Sequence, residues 1–514
     1  MKSRREIYFI IWSCLCLCVA AEHVNVTVKG GTSIAQTDDN FICATLDWWP
    51  QNKCDFNQCP WGEAGIFNLD LDNKILANAI KAFDPLRIRV GGSLQDQIIY
   101  EVGFGFRKCP HIKKMSYGMF GFSKGCLPMC RWDQMNNLFC KTGAKITFGL
   151  NALTGRRKST VDSTLYEGDW DYQNALDFMI YTVSKGYKID SYEFGNELSG
   201  TGIAARVEAE QYGKDMIILK NLVAELYQDP ATQPMVLGPG GFYDKTWFDK
   251  FLQSSGPNVV NGLTHHIYNL GSGADKDLIY RIQDPHFLDQ VAQTYKDISS
   301  SIKEFGPWAG AWVGESGGAY TSGGKGVSHT FANGFWYLDQ LGMTSTFNHK
   351  VFCRQTLIGG NYALLNTTTF IPNPDYYGAL LWHRLMGKNV LQTTHNASPY
   401  LRTYGHCSKK YPGISLLLIN MSNSTNYNVS IVNDINFKDS EVILQREEYH
   451  LTPEGGNIQS DVLLLNGTPL KLTKSYDIPE LKPMLVNGSE TIKVAADSIV
   501  FVTIKGFKAP ACAS

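Results

Sequence analysis

The sequence has no excess of charge of either sign. Its 47 lysines and arginines nearly balance its 48 aspartates and glutamates, and the net charge is −1. Because proteins that bind nucleic acid usually carry a strongly basic surface, this balance gives no sign of a nucleic-acid partner. The sequence also lacks an apolar run of the roughly 20 residues that a membrane-spanning helix needs. We therefore expect no transmembrane segment, although peripheral membrane association stays open.

One shorter apolar run lies near the N-terminus, at residues 7–18. It follows Lys2, Arg4 and Arg5, and residues 19–21 after it read Val-Ala-Ala. This order is typical of a cleaved signal peptide, here residues 1–21. We expect a secreted protein of the extracellular space or cell wall that begins near Glu22, with a vacuolar or lysosomal destination as the open alternative.

Eight Asn-x-Ser/Thr sequons agree with secretion as a glycoprotein. Seven of them follow residue 365, so we expect the late part of the chain to be well solvated and to lie away from the substrate. The candidate glycosylation sites are Asn25, Asn366, Asn396, Asn420, Asn423, Asn428, Asn466 and Asn487.

The cysteines favour disulfides over metal. Of the 13 cysteines, three lie in the predicted signal peptide, which leaves 13 − 3 = 10 for an oxidising compartment. Seven of these fall between residues 43 and 140, and the sequence leaves their pairing open. Cys407 and Cys512 bracket the late chain, and we expect them to be bridged. Cys126 and Cys130 have no matching pair nearby, so a zinc site there is disfavoured.

A chain of 514 residues predicts two domains, and the first has the pattern of β/α units. Eight short apolar runs alternate with segments of helical period, such as 69–83, 170–184, 208–226, 288–304 and 335–341. The runs are "FICATLD" (41–47), "LRIRVGG" (86–92), "KITFGLNA" (145–152), "SYEFGNE" (191–197), "PMVLGPG" (234–240), "GLTHHIY" (262–268), "AWVGESG" (311–317) and "VFCRQTLIGG" (351–360). Eight units predict a (β/α)8 barrel over residues 22–390. An open doubly wound sheet is the alternative, but no glycine-rich phosphate loop follows the first run.

After about residue 390 the pattern changes to short strands separated by turn residues, with no helical stretch. Examples are "GISLLLINM", "EVILQREEYHL" and "SIVFVTIKG". We expect residues 391–514 to form an antiparallel β-sandwich. The early strand 24–30 could join either this sandwich or the outside of the barrel.

Two glutamates end barrel strands that face one another across the barrel mouth. Glu197 ends the fourth run, in "YEFGNELSG", and Glu315 ends the seventh, in "WVGESGG". Glycoside hydrolysis needs such a pair, because one carboxyl group must donate a proton while the other stays ionised. A single glutamate after a strand is more often a cap or a salt-bridge partner. Asn196 beside one acid and glycines around the other make the pair more specific.

These segments resemble glycoside hydrolase family 79, which contains the heparanases and related β-glucuronidases. The resemblance covers nearly the whole mature chain. Its most specific stretches are "ATLDWWP", "RVGGSLQD", "GLNAL", "GNELSG", "THHIYNLGSG", "WVGESGGAY", "FWYLDQLG", "CRQTLIGGNY" and "IPNPDYYGALLWHRLMG".

The resemblance implies a role for each matching residue. It makes Glu197 the general acid/base and Glu315 the nucleophile of a retaining enzyme, with Asn196 on the 2-hydroxyl of the sugar. The further substrate-binding or orienting residues that it implies are Asp47, Ser93, His266, Tyr268, Tyr320, Ser322 and Tyr362. Thr321 and Ser322 stand where animal heparanase has glycines, which leaves the geometry of that loop open.

Other polar residues in the strands do not predict a metal or a cofactor, and we expect none. His265 and His266 lack a third ligand at suitable spacing, and adjacent strand residues point to opposite faces. Arg354 lies inside a strand, where an unpaired charge is costly, so we expect it to pair with an acid.

The leading hypothesis is therefore a secreted retaining β-glucuronidase acting on a carbohydrate or a glucuronide, such as a flavonoid glucuronide or a cell-wall arabinogalactan. One alternative is heparanase-like endo-cleavage of a polyanionic polysaccharide. A second is a carbohydrate-binding wall protein without catalysis. The sequence does not predict an oligomeric state.

Overall fold

The computed structural model describes residues 21–103, 109–435 and 445–513. Apart from Ala21, the predicted signal peptide lies outside these residues. None of the helices in the described ranges is both long enough and apolar enough to cross a membrane.

Eight parallel strands close into a barrel, as the sequence predicts. Buried side chains dominate every strand, because a parallel barrel is covered on both faces. The strands are Ile42–Asp47, Arg87–Gly91, Lys145–Leu150, Ser191–Phe194, Met235–Phe242, Gly262–His266, Gly310–Ser316 and His349–Arg354. In a barrel of this kind the loops after the strands gather at one face.

A helix follows each strand and packs on the outside of the barrel. The main helices are Lys74–Lys81, Met129–Thr142, Gln173–Ser184, Ala209–Leu226, Lys245–Ser255, Ala292–Phe305, Asn333–Thr346 and Pro374–Leu385. Local sequence explains where several of them begin. The side chain of Asn73 caps the first helix by accepting hydrogen bonds from two backbone N–H groups. The side chain of Asp244 caps the fifth helix by accepting a hydrogen bond from one backbone N–H group.

A second, 12-stranded sheet is formed by the first strands of the described chain and by the strands after the barrel. Its strands are Glu22–Lys29, Ala35–Gln36, Met386–Thr394, Leu401–Ser408, Gly413–Asn420, Tyr427–Asn433, Gln445–Pro453, Leu463–Leu465, Thr468–Pro469, Met484–Asn487, Ile492–Val494 and Ser498–Lys505. The first strand after the barrel begins at Met386, slightly before residue 391, where the sequence predicts the domain boundary.

The first strand of the chain belongs to this sheet and not to the barrel. Glu22–Lys29 pairs antiparallel with Met386–Thr394 and parallel with Tyr427–Asn433. The described strands from Met386 onward pair with one another antiparallel throughout, as the sequence predicts. The parallel pair in this sheet is the one that the early strand makes with Tyr427–Asn433. No hairpin connects this strand to its neighbours, so no tight turn imposes an antiparallel direction on it.

The strands Gly413–Asn420 and Ser498–Lys505 bury both of their faces. Ile414, Leu416 and Leu418 pack into a core inside the curled sheet. Leu417 and Ile419, on the opposite face, belong to the hydrophobic core that they share with the barrel. Because both faces are covered, these strands read as continuous apolar runs and not as alternating ones.

Four disulfides are present in the described chain. Cys43–Cys353 joins the first and last barrel strands, Cys54–Cys59 closes a short loop, and Cys109–Cys126 lies after the second strand. The expected bridge between Cys407 and Cys512 is formed. Cys130 and Cys140 carry free, exposed thiols.

The structure corrects one of the candidate glycosylation sites. Asn420 is fully buried, and its Nδ2 donates hydrogen bonds to the carbonyls of Thr425 and Ala495, so a glycan has no room there. Of the other seven, Asn25, Asn366, Asn396, Asn423 and Asn487 are exposed, and Asn428 and Asn466 are half-buried.

A buried ion pair joins the barrel to the sheet. Asp339, on the helix Asn333–Thr346, is fully buried and accepts a hydrogen bond of 2.8 Å from Nε of Arg402 in the sheet. The hydroxyl of Tyr404 donates a second bond of 2.6 Å to the same carboxylate. Arg402 also pairs with Asp289, whose side chain is 50% exposed, so Asp339 is its buried partner. Removing Asp339 leaves the cation without its buried counter-charge.

We predict that Asp339→Ala lowers the free energy of unfolding by about 3 kcal/mol or more, because Arg402 loses its buried counter-charge. Urea denaturation followed by tryptophan fluorescence measures this change. Glu480→Ala is the control, since Glu480 pairs with Lys482 through side chains that are 76% and 74% exposed. It should cost less than about 1 kcal/mol. Equal losses in the two variants would show that the junction is not held by this pair.

Candidate active site

The two predicted carboxylates meet at the mouth of the barrel. Glu197 follows the fourth strand and is 9% exposed, while Glu315 lies in the seventh strand and is 6% exposed. One carboxylate oxygen of each lies within 4.8 Å of the other and of a ring nitrogen of His266. Carboxyl groups about 5 Å apart are typical of retaining glycosidases, whereas inverting enzymes need a wider gap for water.

The backbone before Glu197 turns sharply to bring its side chain to the mouth. Gly195 has φ of +72° and Glu197 itself has φ of +56°, a region that glutamate rarely adopts. The N–H of Glu197 donates a 2.7 Å hydrogen bond to the carbonyl of Gly240, in the neighbouring strand Met235–Phe242. This strained but anchored turn fixes the position of the carboxyl group.

Arg89 connects most of the polar groups in the site. It lies in the second barrel strand, and its side chain is 1% exposed. Its guanidinium donates hydrogen bonds of 2.5 Å to Glu193, 2.7 Å to Glu315 and 2.8 Å to the side-chain oxygen of Asn196. One cation thus orients the candidate nucleophile, the candidate 2-hydroxyl ligand and a third buried carboxylate.

The surroundings of Glu315 favour its ionised form. Burial opposes ionisation, but the charges of His266 and Arg89 and hydrogen bonds from Tyr268 and Arg89 bring the pKa of Glu315 below its ordinary value. The Tyr268 hydroxyl donates to this carboxylate over 2.7 Å. Tyr268 therefore lies where the sequence predicts a partner of the nucleophile.

His266 contacts the other carboxylate. Its Nδ1 lies 3.0 Å from Oε1 of Glu197, and the ring is buried. The adjacent His265 points away from the site and pairs with His349 through ring nitrogens 2.9 Å apart. The two histidines thus lie on opposite faces of the strand, as expected.

Asp47 is a buried acid that favours its neutral form. Burial and the nearby charge of Glu315 raise its pKa to about 8, although a hydrogen bond from Gln355 and the charge of Arg89 oppose the shift. The amide of Gln355 donates to Asp47 over 2.5 Å. The raised pKa favours the protonated side chain, which can donate a hydrogen bond to a ligand.

Asn196 has a free amide donor beside the carboxylates. Its Oδ1 is held by Arg89 and its backbone N–H donates to Asp96 over 2.8 Å. Among the described residues, its Nδ2 has no hydrogen-bond partner. This buried, unpaired donor suits a hydroxyl group of a bound sugar.

The remaining predicted residues lie in the loops after the second, seventh and eighth strands. Ser93 is half-buried after the second strand, and Tyr320 is 48% exposed at the rim. Tyr362 is buried, and burial together with the charges of Asp47 and Glu315 raises the pKa of its hydroxyl. Ser322 is buried too, but its hydroxyl contacts Trp61 and Asp55, so it is not free for a ligand.

The site contains four residues that the sequence did not predict, namely Arg89, Glu193, Asp96 and Gln355. Arg89 could have been predicted, because a charge inside a barrel strand needs a partner. Arg354 is such a case, since it pairs with Asp375 over 2.9 Å. The same reasoning applied to "LRIRVGG" would have singled out Arg89. No local pattern marks the others, whose partners are distant in sequence.

The cluster of Glu197, His266 and Glu315 is the one group in the described chain with three donor atoms close enough for a metal ion. Both oxygens of Glu315 are already bound, one by Tyr268 and the other by the guanidinium of Arg89. A metal ion would have to compete with that positive charge, so the donor set fits acid–base chemistry better than metal binding.

Comparisons with known proteins agree with this geometry. The profile described as "Glycosyl hydrolase family 79, N-terminal domain" matches residues 23–342. Heparanase-like protein 1 of Arabidopsis thaliana is 51% identical over 517 residues, covering 96% of this chain and 95% of that protein. Baicalin-beta-D-glucuronidase of Scutellaria baicalensis is 40% identical over 510 residues, covering 97% and 95%.

Solved structures show the same fold at low identity. A family 51 arabinofuranosidase from Xanthomonas axonopodis pv. citri superimposes with a TM-score of 0.66 at 15% identity, covering 94% of this chain and 100% of that one. The fold, the matched profile and the full-length relatives together show that this chain belongs to glycoside hydrolase family 79 and is a glycoside hydrolase.

Proposed function

We propose that this chain is a secreted retaining β-glucuronidase that removes terminal β-linked glucuronic acid from a glycoconjugate. The observation that carries the proposal is the pair Glu197 and Glu315, whose oxygens lie within 4.8 Å in unlike surroundings. Similarity to a baicalin glucuronidase supports the choice of sugar. The four disulfides agree with an oxidising compartment outside the cytosol.

The proposed reaction has two displacements. The Glu315 carboxylate attacks the anomeric carbon while the bond to the leaving oxygen breaks, and Glu197 gives its proton to that oxygen. Water then attacks the same carbon, Glu197 takes a proton from it, and the bond to Glu315 breaks. The anomeric configuration is inverted twice and therefore retained.

The charges around the site support these assigned roles. Glu315 must be ionised to attack, and Arg89 and Tyr268 favour that state. Asp47 is mostly neutral, so it adds little negative charge beside an incoming uronate. The free Nδ2 of Asn196 can donate to the 2-hydroxyl, and this bond strengthens as positive charge develops on the sugar ring.

We assign recognition of the sugar carboxylate to the loop after the seventh strand. Tyr320, the backbone of Ser322 and the hydroxyl of Tyr362 would bind it, while Asp47 and Ser93 would hold other hydroxyls. This assignment rests on the family resemblance and on the position of these residues around the mouth of the barrel.

The charges of one surface cleft give little support to the alternative of polysaccharide cleavage. This open cleft of about 670 Å³ is lined by Gly200 and Thr201, in the loop after Glu197, and its lining includes the cations Arg206 and Lys250. Arg206 is paired with Asp162 and Glu208, and Lys250 with Glu210. Because each cation has an acidic partner, the cleft offers little net attraction for a sulfated chain.

We expect Glu197→Gln and Glu315→Gln to lose activity in different ways. Glu315→Gln should abolish turnover of every glucuronide, because no nucleophile remains. In kcat/KM, Glu197→Gln should lose about 10²–10⁴-fold on alkyl glucuronides, whose leaving groups need the proton, and much less on a dinitrophenyl glucuronide. Its kcat on the dinitrophenyl substrate should still fall, because Glu197 also takes the proton from the water of the second displacement. Steady-state kinetics on both substrates measures this, with the exposed Glu225→Gln as the control.

Proton NMR of the wild-type reaction gives the stereochemical outcome. The first-formed product should be the β-anomer of glucuronic acid. Appearance of the α-anomer first would contradict the double displacement.

The pH profile should respond to the hydroxyl of Tyr268. Because the pKa of Glu315 lies below its ordinary value of 4.5, the acid limb of kcat/KM should fall below that pH. Tyr268→Phe removes a donor that stabilises the carboxylate, so the pKa of Glu315 should rise. The acid limb should then move to higher pH by about one unit. Tyr280→Phe, at a tyrosine that is 74% exposed, should leave the limb in place, and an unmoved limb in both variants would refute the assigned role.

A substrate panel separates the proposed activity from cleavage of a polyanion. We expect turnover of p-nitrophenyl β-glucuronide and of larger glucuronide conjugates, with little or no shortening of a sulfated polysaccharide. Product size by gel filtration and release of p-nitrophenol are the measurements. Cleavage of the polysaccharide alone would favour the heparanase-like alternative.

A further inference from the structure

The loop after the seventh strand is held in an unfavourable conformation. Thr321 and Ser322 have φ of +58° and +68°, and Gly323 follows with φ of +76°. Glycine adopts this left-handed region easily, but a serine and especially a β-branched threonine do not. Such residues keep positive φ only where their surroundings hold them there.

Contacts from two other loops hold Ser322 in place. Its hydroxyl donates to the carboxylate of Asp55 and accepts a 2.9 Å bond from Nε1 of the buried Trp61. Its carbonyl accepts a 2.7 Å bond from the N–H of Asn361. The hydroxyl and the carbonyl are thus both committed, and among the described residues no acceptor contacts the N–H of Ser322.

Asp55 is itself fixed in a short disulfide-closed loop, Cys54–Cys59. Asp55 and Gln58 exchange backbone hydrogen bonds of 2.8 and 2.9 Å, which makes residues 55–58 a tight turn. The second carboxylate oxygen of Asp55 binds Nζ of Lys53 at 2.6 Å. The carboxylate is therefore oriented and partly neutralised before any substrate arrives.

The two residues that directly follow this loop, Pro60 and Trp61, contact residues near Tyr362. Trp61 packs edge-on against Tyr362 with ring centroids 6.3 Å apart. The carbonyl of Pro60 accepts a 3.1 Å hydrogen bond from the N–H of Gly360. A shift in the loop Cys54–Cys59 would therefore displace both Ser322 and the neighbourhood of Tyr362.

We propose that Asp55 is a positioning residue for selectivity toward the substrate carboxylate. By accepting the hydroxyl hydrogen of Ser322, it keeps the loop 321–323 in the conformation that presents the Ser322 N–H to a uronate. The proposal rests on the assignment of this loop to the sugar carboxylate, and it adds a residue that does not touch the substrate. It predicts that selectivity for a glucuronide over the matching glucoside depends on Asp55.

The test compares kcat/KM for p-nitrophenyl β-glucuronide and p-nitrophenyl β-glucoside in wild type, Asp55→Ala and Asp55→Asn. In Asp55→Ala the glucuronide value should fall about tenfold, mainly through KM, while the glucoside value stays the same. Asp55→Asn should recover most of the loss, because its amide oxygen can still accept the Ser322 hydroxyl. Asp72→Ala, at an exposed aspartate in the same inter-strand segment, is the matched control.

A second variant keeps the test decisive if Asp55→Ala folds poorly. Ser322→Ala removes the other half of the contact, so it should reduce selectivity to the same degree, and the double variant should be no worse than either single one. Equal loss on both substrates, or multiplying losses in the double variant, would overturn the role of Asp55. If wild type showed no preference for the glucuronide, the proposed function itself would fail, which is a distinguishable result.

Discussion

The active site depends on burying several carboxylates around one cation. Glu193, Glu315 and the amide of Asn196 all bind the guanidinium of Arg89, which is almost inaccessible to solvent. An unpaired buried charge would cost several kcal/mol, so this guanidinium determines which acids can be ionised together. The planar, multiply donating shape of arginine suits the task, whereas a lysine could not bind three groups in fixed directions.

The single cation also explains why the acids differ in protonation. Glu315 lies against Arg89 and Tyr268 and favours the charged form. Asp47 accepts a hydrogen bond from the neutral amide of Gln355, and its burial and the nearby negative charge of Glu315 favour the neutral form. These two buried carboxyl groups thus favour opposite protonation states, because their neighbouring charges and hydrogen-bond donors differ.

Local patterns in the sequence predicted the eight barrel strands and the two carboxylates, because strand periodicity and strand ends are local properties. The role of Arg89 in binding the other polar groups of the site was not predicted, since it lies 104 residues from Glu193 and 226 from Glu315 in the sequence. Distance in sequence also hid the pairing of Cys43 with Cys353 and the parallel pairing of the first strand. Burial of Asn420 depends on the sheet around it, which a sequon motif cannot report.

The position of the strand Glu22–Lys29 has a consequence for biosynthesis. It is translated before the barrel strands, yet its two neighbours in the sheet follow them and begin at Met386 and Tyr427. The neighbours that bury its apolar side chains, Val24, Val26 and Val28, are therefore absent while the barrel is translated. This part of the sheet can form only after the barrel has been translated, and an apolar strand without its partners is a site of aggregation until then.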